Sequence, residues 1–155
     1  MSKKIAINGF GRIGRNAFKI ALGRDDIEVV AINDLVAPAA LAHLLKYDST
    51  YGPFDGEVSS TDNGLIVNGK SCAVYAEKDP SQLPWGDLGV DVVIESTGRF
   101  VNPDKVKAHI RAGAKKVILS APAKGAGATT IVLGVNDSDV AGAGEILSNA
   151  SCTTN

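Results

Sequence analysis

A glycine-rich turn between a short strand and a helix most constrains how this 155-residue chain can fold. The residues from Lys3 to Ile7 predict a strand, and the sequence Asn8-Gly9-Phe10-Gly11-Arg12-Ile13-Gly14-Arg15 follows at once. A G-x-G-x-x-G pattern alone is weak evidence, because many glycine-rich loops match it. Here it follows a predicted strand and begins a predicted helix, which is the setting of a dinucleotide-binding turn.

Each glycine of this turn has a predicted structural role. Gly9 permits the tight turn, Gly11 lets the main chain approach a pyrophosphate, and Gly14 lets the helix pack closely on the strand. The N-terminus of the helix offers free N–H groups and a positive dipole end to the phosphates. The apolar residues that follow the spacing of one helix face are Ile13, Ala17, Ile20 and Ala21.

An acidic residue completes this fingerprint. Residues Ile27 to Ile32 predict a second strand, and Asp34 follows it, 20 residues beyond Gly14. A carboxylate at this place can accept hydrogen bonds from the ribose hydroxyls of adenosine, and it repels a 2′-phosphate. The sequence therefore favours NAD over NADP as the cofactor.

Strands and helices alternate along most of the chain, which predicts an α/β fold of Rossmann type with a doubly wound, mainly parallel sheet over residues 1–150. Two turn signals near Asn63-Gly64 and Asn68-Gly69 interrupt the alternation and predict an antiparallel hairpin insertion at about residues 57–76. Further predicted strands span residues 90–94, 116–119, 130–135 and 146–149, and predicted helices span residues 38–46 and 103–113, the second capped by Asn102.

The sequence Ser151-Cys152-Thr153-Thr154-Asn155 follows the last predicted strand and has the pattern of a strand end that turns into a helix. A cysteine at a helix N-terminus is a candidate nucleophile. Cys72 stands alone in the hairpin insertion and is interpreted as a packing residue. His43 in a short apolar helix and His109 on a predicted solvated helix face are not convincing bases for Cys152.

Composition argues against several classes of function. Sixteen basic and seventeen acidic residues give a net charge of −1, which provides no basic stripe for nucleic acid. No apolar run approaches 18 residues and the first residues lack a signal-peptide pattern, so we expect a cytoplasmic protein that does not bind a membrane. The two cysteines do not have the spacing of a metal site, so no metal is predicted.

Four motifs together resemble phosphorylating glyceraldehyde-3-phosphate dehydrogenase. They occur in order along the whole chain: Asn8 to Arg15, Glu95-Ser96-Thr97-Gly98-Arg99-Phe100, Ser120-Ala121-Pro122 and Ala150 to Asn155. The resemblance implies that the chain is the NAD-binding half of such an enzyme. Residues 151–155 then begin the active-site segment of a catalytic domain whose remainder is absent.

The resemblance also implies roles for individual residues. The thiolate of Cys152 attacks the aldehyde of glyceraldehyde 3-phosphate, NAD accepts a hydride, and phosphate cleaves the thioester to give 1,3-bisphosphoglycerate. Ser151 and Thr153 help to bind the substrate or inorganic phosphate. The residues expected to line the NAD site are Asn8, Gly9, Phe10, Gly11, Arg12, Ile13, Asp34, Lys78, Thr97, Gly98 and Ser120.

The family takes its base histidine and its phosphate-binding arginine from the catalytic domain, so we expect this chain to bind NAD without turnover. The family forms homotetramers, whereas this chain is expected to be a monomer or dimer. Two alternatives are the corresponding half of erythrose-4-phosphate dehydrogenase and a stand-alone, non-catalytic nucleotide-binding module. A semialdehyde dehydrogenase ranks last, because it would lack the pairing of the Asn8 to Arg12 turn with the Cys152 motif.

Overall fold

A mixed sheet of nine strands forms the centre of the computed structural model, which describes residues 2–155; Met1, the first residue of the predicted domain, lies outside the described residues. The strands are β1 (Lys3–Asn8), β2 (Ile27–Asn33), β3 (Val58–Thr61), β4 (Gly64–Val67), β5 (Lys70–Tyr75), β6 (Val92–Glu95), β7 (Lys116–Leu119), β8 (Thr129–Thr130) and β9 (Ile146–Ser148). The helices are α1 (Arg12–Leu22), α2 (Pro38–Lys46), α3 (Trp85–Leu88), α4 (Pro103–Arg111) and α5 (Asp139–Gly142), with a 3₁₀ turn at Pro80–Gln82.

The strand order is β3-β4-β5-β2-β1-β6-β7-β9-β8. Neighbouring strands from β5 to β8 are parallel, whereas β3, β4 and β5 pair antiparallel. The chain leaves β1 for β2 on one side and later returns to β6 on the other side. This reversal creates a crevice at the carboxyl ends of β1, β2 and β6, the usual ligand site of such sheets. The predicted Rossmann-type fold with an antiparallel segment is confirmed.

Two apolar clusters cover the two faces of the sheet. Ala6 belongs to the cluster around Trp85, and Ile7 belongs to the cluster around Phe18. Successive side chains of a strand point to opposite faces, so β1 contributes to both clusters and is buried on both sides. A strand covered in this way fixes the position of the glycine turn that follows it.

The buried face of α1 includes the predicted Ala21 but not the predicted Ile13 and Ile20. Gly14, Phe18 and Ala21 are buried, whereas Ile13 and Ile20 are 56% and 69% exposed. A Cβ on Gly14 would overlap the main-chain oxygen of Gly9, so this residue must face the strand. The glycine contact therefore sets the rotation of the helix, and apolar spacing alone placed the face one residue too early.

Two further predictions need correction. The predicted strand 130–135 is only the two-residue β8, because the chain then turns, with Asn136 accepting from the N–H of Val132 at 2.8 Å. His109 does not lie on a solvated face but is fully buried beneath Trp85. The helix α2, the strand β7 and the Asn102 cap on the N–H of Asp104 are confirmed.

No helix within residues 2–155 combines the length and the apolar character needed to cross a bilayer.

Candidate functional site

A cleft of about 530 Å³ lies at the carboxyl ends of β1, β2 and β6. The strand ends meet there because these strands are parallel neighbours. The residues that line the cleft are Asn8, Gly9, Gly11, Asn33, Asp34, Leu35, Glu77, Lys78, Ser96, Thr97, Arg99 and Phe100. The cleft thus contains the glycine turn, the acidic residue after β2 and the turn after β6.

The glycines of the turn are required for different reasons. Gly9 has φ +91°, and a Cβ there would lie 2.7 Å from the main-chain nitrogen of Thr97. Gly11 has an ordinary φ of −71°, and a Cβ there would meet no atom within 4 Å. The fold therefore requires a glycine at Gly9, whereas the space around Gly11 is open to a ligand.

The N-terminus of α1 has the properties of an anion site. No side chain caps it at Gly11, and its first turn contains no acidic residue. The first N–H groups of a helix lack intrahelical acceptors and carry the positive end of the dipole. Arg15 donates to the carbonyl of Phe10 at 2.9 Å and steadies the turn.

Asp34 is half-buried and held by two main-chain donors. One carboxylate oxygen accepts from the N–H of Phe10 at 2.7 Å, and the other accepts from the N–H of Val36 at 3.0 Å. Each carboxylate oxygen has further lone pairs, which can accept from hydroxyl groups. The acid is therefore oriented by the glycine turn and is still able to bind a diol.

The turn after β6 forms the opposite wall. Thr97 donates through its N–H to Glu95 at 2.9 Å and through its hydroxyl at 2.5 Å. Gly98, with φ +72°, is exposed in this turn. Lys78 is exposed on the β5 side of the cleft.

Several predicted site residues do not line the cleft. The Phe10 side chain is 1% exposed and packs edge-to-face on Phe18, so only its main chain reaches the turn. Arg12 donates to the hydroxyl of Thr50 at 2.8 Å. Ile13 is exposed on the first turn of α1, and Ser120 follows β7 farther along the same edge of the sheet.

Six lining residues were not predicted as site residues: Asn33, Leu35, Glu77, Ser96, Arg99 and Phe100. Ser96, Arg99 and Phe100 belong to the motif from Glu95 to Phe100, whereas the signal for Asn33, Leu35 and Glu77 was their position next to a predicted site residue at a strand end.

The segment after β9 is the first turn of a helix-like structure. Ser151 caps it, since its hydroxyl accepts from the N–H groups of Thr153 at 3.0 Å and Thr154 at 3.2 Å. Cys152 is exposed on this turn, two residues after Ala150, which has φ +55°. This segment does not line the cleft.

Comparison with known proteins identifies the family. A family model described as "Glyceraldehyde 3-phosphate dehydrogenase, NAD binding domain" matches residues 3–103, about two thirds of the chain. The chain belongs to the glyceraldehyde 3-phosphate dehydrogenase family. The matched segment contains every residue that lines the cleft.

Relatives named glyceraldehyde-3-phosphate dehydrogenase agree with the family model. The protein of Geobacillus stearothermophilus is 58% identical over 100% of this chain and 46% of its own length. The proteins of Clostridium acetobutylicum and Thermotoga maritima are 57% and 58% identical over 98% of the chain, and 45% and 46% of their own lengths. The chain spans about half the length of the curated relatives it matches.

The glyceraldehyde 3-phosphate dehydrogenase model describes an NAD-binding domain, so NAD is the cofactor of this domain. The site fits that group in three respects. The space at Gly11 is open, the N-terminus of α1 lacks an acidic side chain, and Asp34 presents an oriented carboxylate.

Proposed function

We propose that the cleft binds NAD, with the adenosine ribose at Asp34 and the pyrophosphate at the N-terminus of α1. The observation that carries this proposal is the hydrogen bond from the N–H of Phe10 to Asp34. It joins the glycine turn to the acid 24 residues away, which fixes the ribose and pyrophosphate positions relative to each other. The nicotinamide half then extends toward β6 and β7.

This placement gives the predicted residues specific tasks. Gly11, Arg12 and Ile13 offer main-chain N–H groups to the pyrophosphate, and Gly9 brings the turn against Thr97. The residues assigned to the remaining parts of NAD are Asn8, Phe10, Lys78, Thr97, Gly98 and Ser120. Lys78 supplies a positive charge on the adenine side of the cleft.

For the whole protein we propose the oxidative phosphorylation of glyceraldehyde 3-phosphate, with Cys152 as the nucleophile. When bound, NAD supplies the hydride acceptor. The Ser151 cap orders the turn on which Cys152 is exposed, so its thiol is accessible to a substrate. Ser151 and Thr153 are proposed to bind the substrate or inorganic phosphate group.

Turnover also needs a base and a phosphate-binding cation, which the family resemblance assigns to its catalytic domain. We therefore propose that this chain binds NAD without turnover. The resemblance further supports a cytoplasmic location and a homotetramer for the whole protein.

Calorimetric titration with NAD and NADP tests the NAD site. We expect saturable NAD binding, weaker NADP binding, and at least about a tenfold loss of NAD affinity in Asp34→Ala, because two ribose hydrogen bonds disappear. The variant Asp55→Ala, at an exposed position outside the cleft lining, is the matched control. A folded sample that does not bind NAD, or an Asp34→Ala variant with unchanged affinity, would contradict the proposal.

A further inference from the structure

A buried network of hydrogen-bonded polar side chains runs from the lining of the cleft into the interior. Its members are Trp85, His109, Glu95, Asn8 and Asn33, and none is more than 4% exposed. This network runs from Trp85 on α3 through α4, β6 and β1 to β2, and it ends at the main chain of Glu77. Buried polar groups are costly unless every hydrogen bond has a donor and an acceptor.

The direction of the hydrogen bonds is fixed at the Trp85 end. An indole N–H can only donate, and it lies 2.9 Å from Nδ1 of His109. Nδ1 must therefore accept, which places the imidazole proton of the neutral ring on Nε2. Nε2 then donates to Oε2 of Glu95 at 3.0 Å.

The direction is also fixed at the Glu77 end. The main-chain N–H of Glu77 donates to Oδ1 of Asn33 at 2.8 Å, so the Asn33 amide has one orientation. Its Nδ2 donates to Oδ1 of Asn8 at 2.7 Å. Nδ2 of Asn8 must then donate to Oε2 of Glu95, at 2.5 Å.

Both ends therefore require an acceptor at Glu95. Its Oε2 accepts from Nδ2 of Asn8 and from Nε2 of His109. These two nitrogens lie 3.3 Å apart, as expected for two donors to the same oxygen. Its Oε1 receives the N–H and hydroxyl of Thr97. A carboxylate can accept on all these sides, whereas the side-chain amide of glutamine would place a donor on one of them.

We propose that Glu95, Asn8 and Asn33 are positioning residues that hold both walls of the cleft in register. Glu95 fixes Thr97 on the β6 wall, and Asn33 fixes the main chain of Glu77, next to Lys78, on the β5 wall. Asn8 joins the two. This inference rests on the proposed NAD site and adds a role for these three side chains in shaping that site.

Exchanging the carboxylate of Glu95 and the amide of Asn8 tests the direction of the hydrogen bonds in the buried network. In Glu95→Gln, the NH₂ group of the new amide can take either of the two carboxylate-oxygen positions. It then faces the donors of Asn8 and His109 in one orientation and the donors of Thr97 in the other. Asn8→Asp places a second carboxylate against Glu95. In the double variant, the side-chain amide introduced at position 95 can donate to the new carboxylate at position 8, which still accepts from Asn33 and lies within reach of His109.

We expect each single variant to lower NAD affinity about tenfold or more, and the double variant to recover to within about threefold of the parent chain. Fluorescence of Trp85, the only tryptophan, reports whether the hydrogen bonds of the buried network are restored. The exposed Glu145→Gln is the matched control for the loss of a charge. If a single variant does not fold, recovery of folding and NAD binding in the double variant supports the proposal.

The outcomes separate this proposal from the one on which it rests. A folded parent chain that does not bind NAD refutes the NAD site and the positioning role together. NAD binding by the parent chain with unchanged affinity in the single variants refutes the positioning role alone. A double variant that is as weak as the singles, or unfolded, also refutes it.

Discussion

Substituting the first two glycines of the turn separates what the fold requires from what the ligand requires. In Gly9→Ala, the new methyl group would lie 2.7 Å from the nitrogen and 2.9 Å from the Cα of Thr97, both main-chain atoms that cannot move aside. The residue would also keep φ at +91°. In Gly11→Ala, the methyl group would enter open space at an ordinary φ of −71°.

The structure sets the expected magnitudes. For Gly9→Ala, a left-handed conformation costs about 1–2 kcal/mol and overpacking against main chain about 1–3 kcal/mol. The sum of about 2–5 kcal/mol lowers the melting temperature by roughly 5–15 °C in a domain of this size. For Gly11→Ala, the stability changes by less than about 1 kcal/mol, because the weaker helix cap is offset by a stiffer unfolded chain.

NAD affinity should respond differently. Gly11→Ala is expected to bind NAD about tenfold more weakly or worse, because the methyl group occupies the space through which the main chain approaches the pyrophosphate. Denaturant unfolding and calorimetric titration of the same samples measure both quantities. Equal losses of stability in the two variants, or parental NAD affinity in Gly11→Ala, would refute the reasoning.

Three other predictions follow from side chains outside the turn. Iodoacetamide should label exposed Cys152 at neutral pH but not Cys72, whose pKa burial raises to about 12, and mass spectrometry of folded and denatured chain checks both. Main-chain N–H groups of the following loop, and then Lys19, lower the pKa of Asp48 from 3.8 to about 2. Its stabilising effect is therefore present above pH 4 and lost toward pH 2, so Asp48→Asn should be less stable than the parent at pH 6 and equal to it near pH 2 in acid unfolding curves. His109→Leu should lower the free energy of unfolding by about 2–4 kcal/mol, because Trp85 and Glu95 each lose a buried hydrogen bond. An unchanged denaturation midpoint would contradict the hydrogen bonds assigned to the buried network.

Local signals in the sequence predicted much of the fold. The glycine turn, the bounds of α2, the Asn102 cap and the two hairpin turns each depend on residues that are close together in the chain. The position of Asp34 after β2 was also predictable, because its separation from the glycine turn is part of the sequence fingerprint. These features predicted the position of the cleft at the strand ends.

Features that depend on distant partners were not predictable in this way. His109 was expected on a solvated face, and its burial depends on Trp85 and Glu95, which lie 24 and 14 residues away. The rotation of α1, by contrast, depends on the local contact of Gly14 with Gly9, which the glycine pattern indicated and the apolar spacing did not. The buried network from Asn33 to Trp85 joins five elements, β2, β1, β6, α4 and α3, and no local sequence pattern predicts that they meet.

Chemical-shift mapping of main-chain amides in ¹⁵N-labelled chain, titrated with NAD, tests the central claim most directly. We predict the largest shifts at Gly11 to Ile13, near Asp34 and at Thr97, along the edge where the strands end. A second cavity of about 330 Å³ beside Cys72, lined by residues at the start of β2, serves as the internal control and should not respond. Shifts centred on that cavity, or no shifts at saturating NAD, would contradict the account.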